Sequence, residues 1–331
     1  MKKIILCLAT LGILVNSALA AEFTLKFSDV VAVDTPKGQA AVYFKKRLEA
    51  LSKGRIEVDV YPSSELYKDN TVLKAVAMDS VQMAAPAFSV FSKIVPQLAL
   101  FNLPFLFTSP EQLHRVQDGP IGEKLKQMIT DKGYIALGYW DMGFKDFLTN
   151  KKPFIVPSDA KGQKIRIMAS KVLEKQFEAV GANPQVMPFS ELYSALQQGV
   201  VDGCEEPITN IYTKKFYEVQ KYITLSNHGY LGDAVVLSKT FWNSLPKDLQ
   251  ADVKLAFKQT TIKERIWMQT FVKKQYKILE AMSKKTAKFK FYTLTSAQRE
   301  QWRVAMKKIY PDFYAKDKIG KDLIEAAINT K

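Results

Sequence analysis

From Glu22 the chain alternates apolar and polar positions, with Phe23, Leu25 and Phe27 apolar, and this period of two predicts a strand. A helical pattern follows from about Lys37 to Ser52 and stops at Gly54, a residue suited to a helix end. Ile56, Val58 and Val60 predict a second strand, followed by a helix over about Asp69 to Met78 and an apolar strand at about Val81 to Ala85. A β-α-β-α-β succession with short links implies parallel strands with right-handed crossovers. Ser109-Pro110-Glu111-Gln112 has the form of a capping box with proline at the first helical position, so a helix begins there and another after Pro120. Tyr134 to Trp140 reads as a strand.

The same rhythm returns from Gln163. It gives a strand at Lys164 to Met168, a helix at Ser170 to Val180, a strand at Pro184 to Met187, a helix at Ser190 to Gln198 and a strand at Val200 to Cys204. Two α/β units are therefore expected. Each carries Ser-Glu-Leu-Tyr shortly after a strand and a proline, at Ser64 to Tyr67 and Ser190 to Tyr193, which fits two similar lobes. Beyond a strand at Ala234 to Ser238, the stretch from about Pro246 to Met282 has helical periodicity, with Leu249, Val253, Phe257, Ile262, Ile266, Phe271 and Ile278 as its apolar positions. A helix that long exceeds the width of one lobe and would brace both. The expected class is α/β: two lobes of mixed sheet flanked by helices, 21–145 mainly the first, 146–235 mainly the second, 236–331 returning segments.

The start of the chain places the protein. Met1-Lys2-Lys3 is positive, Ile4 to Val15 is apolar, and Ala18-Leu19-Ala20 is a small-x-small pattern, which together read as a secretory signal peptide cleaved after about Ala20. Cleavage leaves Cys204 as the only cysteine, so no internal disulfide is expected. The net charge of +15 includes Lys2 and Lys3 of the leader. The remaining lysines are spread along amphipathic helices without an arginine run interleaved with aromatics, so no nucleic-acid partner is expected. Ile94 to Phe107 is apolar but too short for a membrane span and is broken by Pro96 and Pro104.

Catalytic signatures are absent: there is no H-E-x-x-H, no C-x-x-C, no G-x-S-x-G and no phosphate-binding glycine loop. His114, His228 and Cys204 are read as structural residues, and neither a metal nor a cofactor is expected. Arg166 stands out, because it alternates with Ile165 and Ile167 and so faces away from the surface they bury. A guanidinium fork there matches a carboxylate bidentately. A surface ion pair with a nearby Asp or Glu is the other reading.

Longer segments carry more information. Lys161-Gly162-Gln163-Lys164-Ile165-Arg166, Phe177-Glu178-Ala179-Val180-Gly181-Ala182, Met187-Pro188-Phe189-Ser190-Glu191-Leu192-Tyr193, Ala195 to Gly203 and Lys215 to Tyr222 closely resemble the extracytoplasmic binding proteins of tripartite ATP-independent periplasmic (TRAP) transporters. Gly54-Arg55-Ile56, Tyr61 to Leu66 and Asn102 to Phe107 extend the likeness into the first half. Thr35-Pro36-Lys37-Gly38, Tyr67-Lys68-Asp69, Trp140 to Lys145 and Asn227 to Gly232 look like the C4-dicarboxylate branch.

The resemblance implies a periplasmic protein with two lobes closing on a cleft, a small organic acid as ligand, and the membrane subunits of a TRAP transporter as partner. Arg166 matches the arginine that clamps the substrate carboxylate, Lys145 a second basic contact, and Phe189 an aromatic wall; Lys68 is a further ligand-binding candidate. A monomer is the default. One departure stands out: where the family commonly has Glu-Asn-Pro, this chain has Glu205-Glu206-Pro207. Glu206 must then turn away from a dianionic ligand, pair with a cation such as Lys145, bind protonated, or meet a hydroxyl or ammonium group; pairing is the expectation. A hydroxyl or ammonium partner would shift the substrate towards a hydroxy or amino acid, and Asp233, where dicarboxylate relatives often have an aromatic residue, is a second feature that argues against plain succinate. A periplasmic carboxylate-acting enzyme using Glu205 or Glu206, and a ligand-sensing partner of a membrane receptor, share the same cleft.

Overall fold

The structure, a computed structural model, describes residues 20–330. The leader predicted at the start lies outside the described residues, apart from Ala20. Among the described residues nine strands form one continuous sheet: β1 (Phe23–Ser28), β2 (Ile56–Tyr61), β3 (Met83–Ala84), β4 (Tyr134–Thr149), β5 (Lys164–Ile167), β6 (Asn183–Val186), β7 (Gly203–Pro207), β8 (Tyr222–Ser238) and β9 (Lys290–Thr293). Their order is β2-β1-β3-β8-β4-β7-β5-β6, with β9 beside β8. At one end β1 pairs in parallel with β2 and β3; at the other β5 pairs in parallel with β6 and β7. These are the two α/β units expected from the chain's rhythm.

The join between them is made by β4 and β8, which are longer than the pattern predicts. Tyr134 to Trp140 continues to Thr149, and Ala234 to Ser238 is only the end of a strand that begins at Tyr222. The two pair antiparallel along their whole length, β8 meeting β3 at one end and β9 at the other. Sequence alternation fails here because the pairing is interrupted by irregularities between Ala136 and Gly138, Asp141 and Gly143, and Lys145 and Phe147. Each bulge shifts the inward-facing set and adds local twist. Gly143 sits in one of them at φ +115, backbone that an L side chain rarely adopts.

The helix Lys247–Lys285 runs beside the sheet and packs on both lobes, against the helix Pro36–Leu51 at one end and β9 at the other. At 39 residues it is about 58 Å long. Its buried stripe is not the apolar one expected. Leu249, Val253 and Phe257 are buried, but Ile262 and Ile266 face solvent, and the stripe continues through Thr260, Glu264, Met268, Gln275 and Leu279. The helical period is kept; polar residues occupy it where the helix crosses the bulged strands.

Core packing is divided accordingly. Phe27, Phe44, Leu48, Trp140, Val253 and Phe257 fill one face of the first lobe, and Phe88, Phe91, Phe101, Tyr139 and Ile324 the other. Phe147, Phe154, Phe177, Leu192 and Trp302 centre the second lobe. No helix among the described residues is long and apolar enough to cross a membrane.

Candidate functional site

The strand expected at Val200 to Cys204 begins three residues later and runs through Glu205 and Glu206 to Pro207. Gly199, at φ +70, turns the chain first, and the Asp202 carboxylate is held by the Lys164 amide. Because alternate strand residues face opposite ways, this shift sends Glu205 and Glu206 to opposite sides of the sheet.

On one side, Glu205 meets Lys145. The two form a fully buried ion pair, and the second oxygen of Glu205 accepts from His228 Nε2 at 2.7 Å and Gln176 Nε2 at 2.8 Å. Burial pushes the Glu205 carboxyl up, but Lys145 and His228 outweigh it and hold it at about 2. Burial keeps His228 neutral, so its Nε2 carries the proton and Ser226 Oγ, 2.7 Å away, donates to Nδ1. A serine, a histidine and a glutamate are thus linked in order, yet all are sealed from solvent. The expected partner of Glu206 was Lys145; the structure gives Lys145 to Glu205 instead, because only Glu205 points to that side.

On the other side, Glu206 meets Arg166. Its Oε1 lies 2.7 Å from Arg166 Nη1, and its Oε2 accepts from Asn210 Nδ2 at 2.8 Å. Arg166 Nε and Nη2 both donate to the Met187 carbonyl, at 3.0 and 2.9 Å. A guanidinium has five N–H groups, so one on each terminal nitrogen is left without a protein acceptor. Glu206 therefore does pair with a cation, but the cation is the candidate clamp itself. Burial still raises the Glu206 carboxyl, against the lowering effect of Arg166 and Asn210.

Phe189 completes this wall: the Arg166 guanidinium carbon is 6.0 Å from its ring centroid and Lys214 Nζ 5.5 Å. Facing it across the cleft is Lys37, which was not among the expected ligand contacts. Its ammonium lies among Ala85 O at 2.6 Å, Asp29 Oδ1 at 3.1 Å and Asp233 Oδ1 at 3.2 Å. Burial pushes Asp233 up to about 7, with Lys37 opposing and Asp29 adding to the rise. The only sign of Lys37 in the sequence was its place in Thr35-Pro36-Lys37-Gly38; nothing there marked Asp29 or Asn210.

These walls enclose a small cavity of about 30 Å³, lined by Lys37 and Asp69 of the first lobe, Met168, Phe189, Glu206 and Asn210 of the second, and Asp233 of β8. That is room for a water molecule or two, not for a four-carbon acid. A neighbouring cavity of about 210 Å³ shares Asp69 and Met168 with it. The rims are fastened to each other: Asp69 Oδ2 accepts from the Phe189 amide at 3.2 Å, and Lys68 pairs with Glu191 at 2.9 Å. Lys68 and Glu191 adjoin or belong to the two Ser-Glu-Leu-Tyr copies, which the fold brings face to face. Of the five candidates, then, Arg166, Phe189 and Glu206 come together, while Lys145 is buried behind Glu205 and Lys68 sits on the outer rim. No group of three or more His, Cys, Asp or Glu among the described residues is arranged to hold a metal ion.

Two α/β lobes sharing one sheet around a buried, charged cavity is the build of a solute-binding protein. Its sequence matches the bacterial extracellular solute-binding protein family 7 (DctP) over residues 27–317. The chain belongs to that family, whose structurally similar members include binding proteins of TRAP transporters, as the resemblance implied. It is 42% identical over 311 residues to the C4-dicarboxylate-binding periplasmic protein DctP of Rhodobacter capsulatus, covering 93% of this chain and 91% of that protein. A TRAP periplasmic solute-binding protein of Sulfurospirillum deleyianum, solved with bound succinate, superposes with a TM-score of 0.91 at 49% identity, covering 94% of this chain and 100% of that one. One from Pseudomonas aeruginosa with bound L-malate gives 0.83 at 34% identity, over 88% of this chain and 100% of that one.

Proposed function

We propose that the protein is the periplasmic receptor of a TRAP transporter for a C4-dicarboxylate such as succinate, fumarate or malate, acting as a monomer that hands its ligand to the membrane subunits. The observation that carries this reading is Arg166, buried beside Phe189 and Glu206, which line the interlobe cavity, with two N–H groups lacking a protein acceptor. One ligand carboxylate takes those N–H groups while Phe189 packs against the carbon chain. Entry requires the lobes to part, since the cavity is too small to fill from outside; the bulged strands β4 and β8 are where they hinge. Closing then re-forms the rim contacts of Asp69 and Lys68. Relatives described as binding succinate, malate and C4-dicarboxylates support the ligand class.

The test is calorimetric titration of refolded, ligand-free protein with succinate, fumarate, malate, aspartate, 2-oxoglutarate, pyruvate and lactate. Micromolar or tighter binding of a C4 acid, lost in Arg166→Ala, is the expected result. Binding that survives the substitution removes Arg166 from the role, and no binding of any C4 acid removes the ligand class.

A further inference from the structure

Counting charge around the interlobe cavity gives an unexpected balance. Lys145 is neutralised by Glu205 on the far side of the sheet, which leaves Arg166 and Lys37 as the buried cations facing three buried carboxylates, Glu206, Asp29 and Asp233. Neither cation is idle: Arg166 already holds Glu206, and the Lys37 ammonium is ringed by three oxygens. The polar atoms left over on residues lining the cavity are acceptors too. Asp233 Oδ2 and Asn210 Oδ1 are buried without a hydrogen-bond partner. A dianion can give one carboxylate to the two free N–H groups of Arg166, but its second carboxylate would then meet Asp233 Oδ2 and Asn210 Oδ1 with no donor between them. One proton removes the repulsion and supplies the missing donor.

We propose, on the C4-dicarboxylate reading above, that the site takes up one proton from solvent with its ligand and shares it between Asp233 and a ligand carboxylate, which makes Asp233 a specificity-determining residue and binding proton-coupled. The charged groups around Asp233 fit this, and Asp69, a further carboxylate of the cavity lining, is occupied by the Phe189 amide. Lys37, from the helix Pro36–Leu51, is divided between Asp233 and Asp29. Asp141 on the adjoining strand β4 accepts from Tyr230 of Asp233's own strand and lies 2.6 Å from His114 Nε2. Glu264, from the long helix, is driven towards its neutral form by burial and by Asp141. Glu206 faces the cavity from β7 but is engaged by Arg166 and Asn210. With burial already lifting Asp233 to about 7, an added anion lifts it further and the group is protonated in the complex at neutral pH.

Succinate titrated at pH 8 in two buffers of different ionisation enthalpy reads the proton count directly. Uptake of close to one proton is expected at pH 8, falling towards zero near pH 5.5, where Asp233 is protonated beforehand. Between pH 8 and 9 the Kd should rise about tenfold. Asp233→Asn should bring uptake near zero and leave Kd within about twofold over that range. Measurable succinate binding without proton uptake overturns the inference while leaving the proposed function standing, and so does uptake unchanged in Asp233→Asn. Failure of every C4 acid to bind overturns both. The wild-type measurement decides the matter if the variant does not fold.

Discussion

Arg166 and Glu206 face each other at 2.7 Å from neighbouring strands, both sealed from water, so the candidate clamp carries its own counter-ion. Removing one partner of such a pair leaves an uncompensated buried charge. Arg166→Ala is expected to weaken binding of a C4 acid at least 100-fold and to cost about 3–5 kcal/mol of stability. Adding Glu206→Gln should recover most of the stability and none of the binding. Urea unfolding beside calorimetry separates the two effects; recovery of binding in the double variant would show that Arg166 acts only by neutralising Glu206.

The second buried pair has a pH signature. The Glu205 carboxyl is held at about 2 in the folded protein, below its usual 4.5, so the stability it contributes is present above about pH 4.5 and is lost as pH falls towards 2. The full contribution is about 3 kcal/mol. Unfolding free energies of wild type and Glu205→Gln measured at pH 6 and pH 3 should therefore converge on acidification. Parallel curves would mean that Glu205 is not ionised by this pair.

The two rim contacts differ in kind. Lys68 and Glu191 are half exposed, and Lys68→Ala should change neither stability nor affinity by more than about 1 kcal/mol. Asp69 is the acceptor for the Phe189 amide, so Asp69→Ala should release ligand faster, by about three- to tenfold, with little change in the association rate. Stopped-flow fluorescence measures both rates.

Gly143 is held at φ +115 in one of the irregularities of β4. A Cβ built there meets only Pro207 and Val272 at 3.5 and 3.9 Å, ordinary contacts, so the cost of Gly143→Ala is backbone strain at φ +115. A loss of about 1–3 kcal/mol in urea unfolding is expected. At Gly229 the obstacle is steric, because a Cβ would lie 2.8 Å from Lys145 Cε.

The repeated strands and helices were legible because period two and period 3.6 are local. Arg166 and Phe189 drew notice because they fall in segments that resemble a known family, and Glu206 because it departs from that family's pattern. What escaped depended on distant partners. Only the fold brings Asp29, Lys37 and Asp233 together, from a loop, a helix and a strand 204 positions apart between the first and last. The stripe of the long helix was misjudged at Ile262 and Ile266 for a similar reason: Glu264 is buried because the Asp141 amide donates to it at 3.2 Å, and nothing in the helix's own sequence announces that donor.

The continuous strands β4 and β8 have one further consequence. Neither lobe owns a complete set of strands, because each borrows half of β4 and half of β8, which also tie it to its neighbour through a shared hydrogen-bond ladder. Excising either half of the molecule would expose raw sheet edges and leave a fragment prone to self-association. Because the two halves share that ladder, neither is expected to fold without the other.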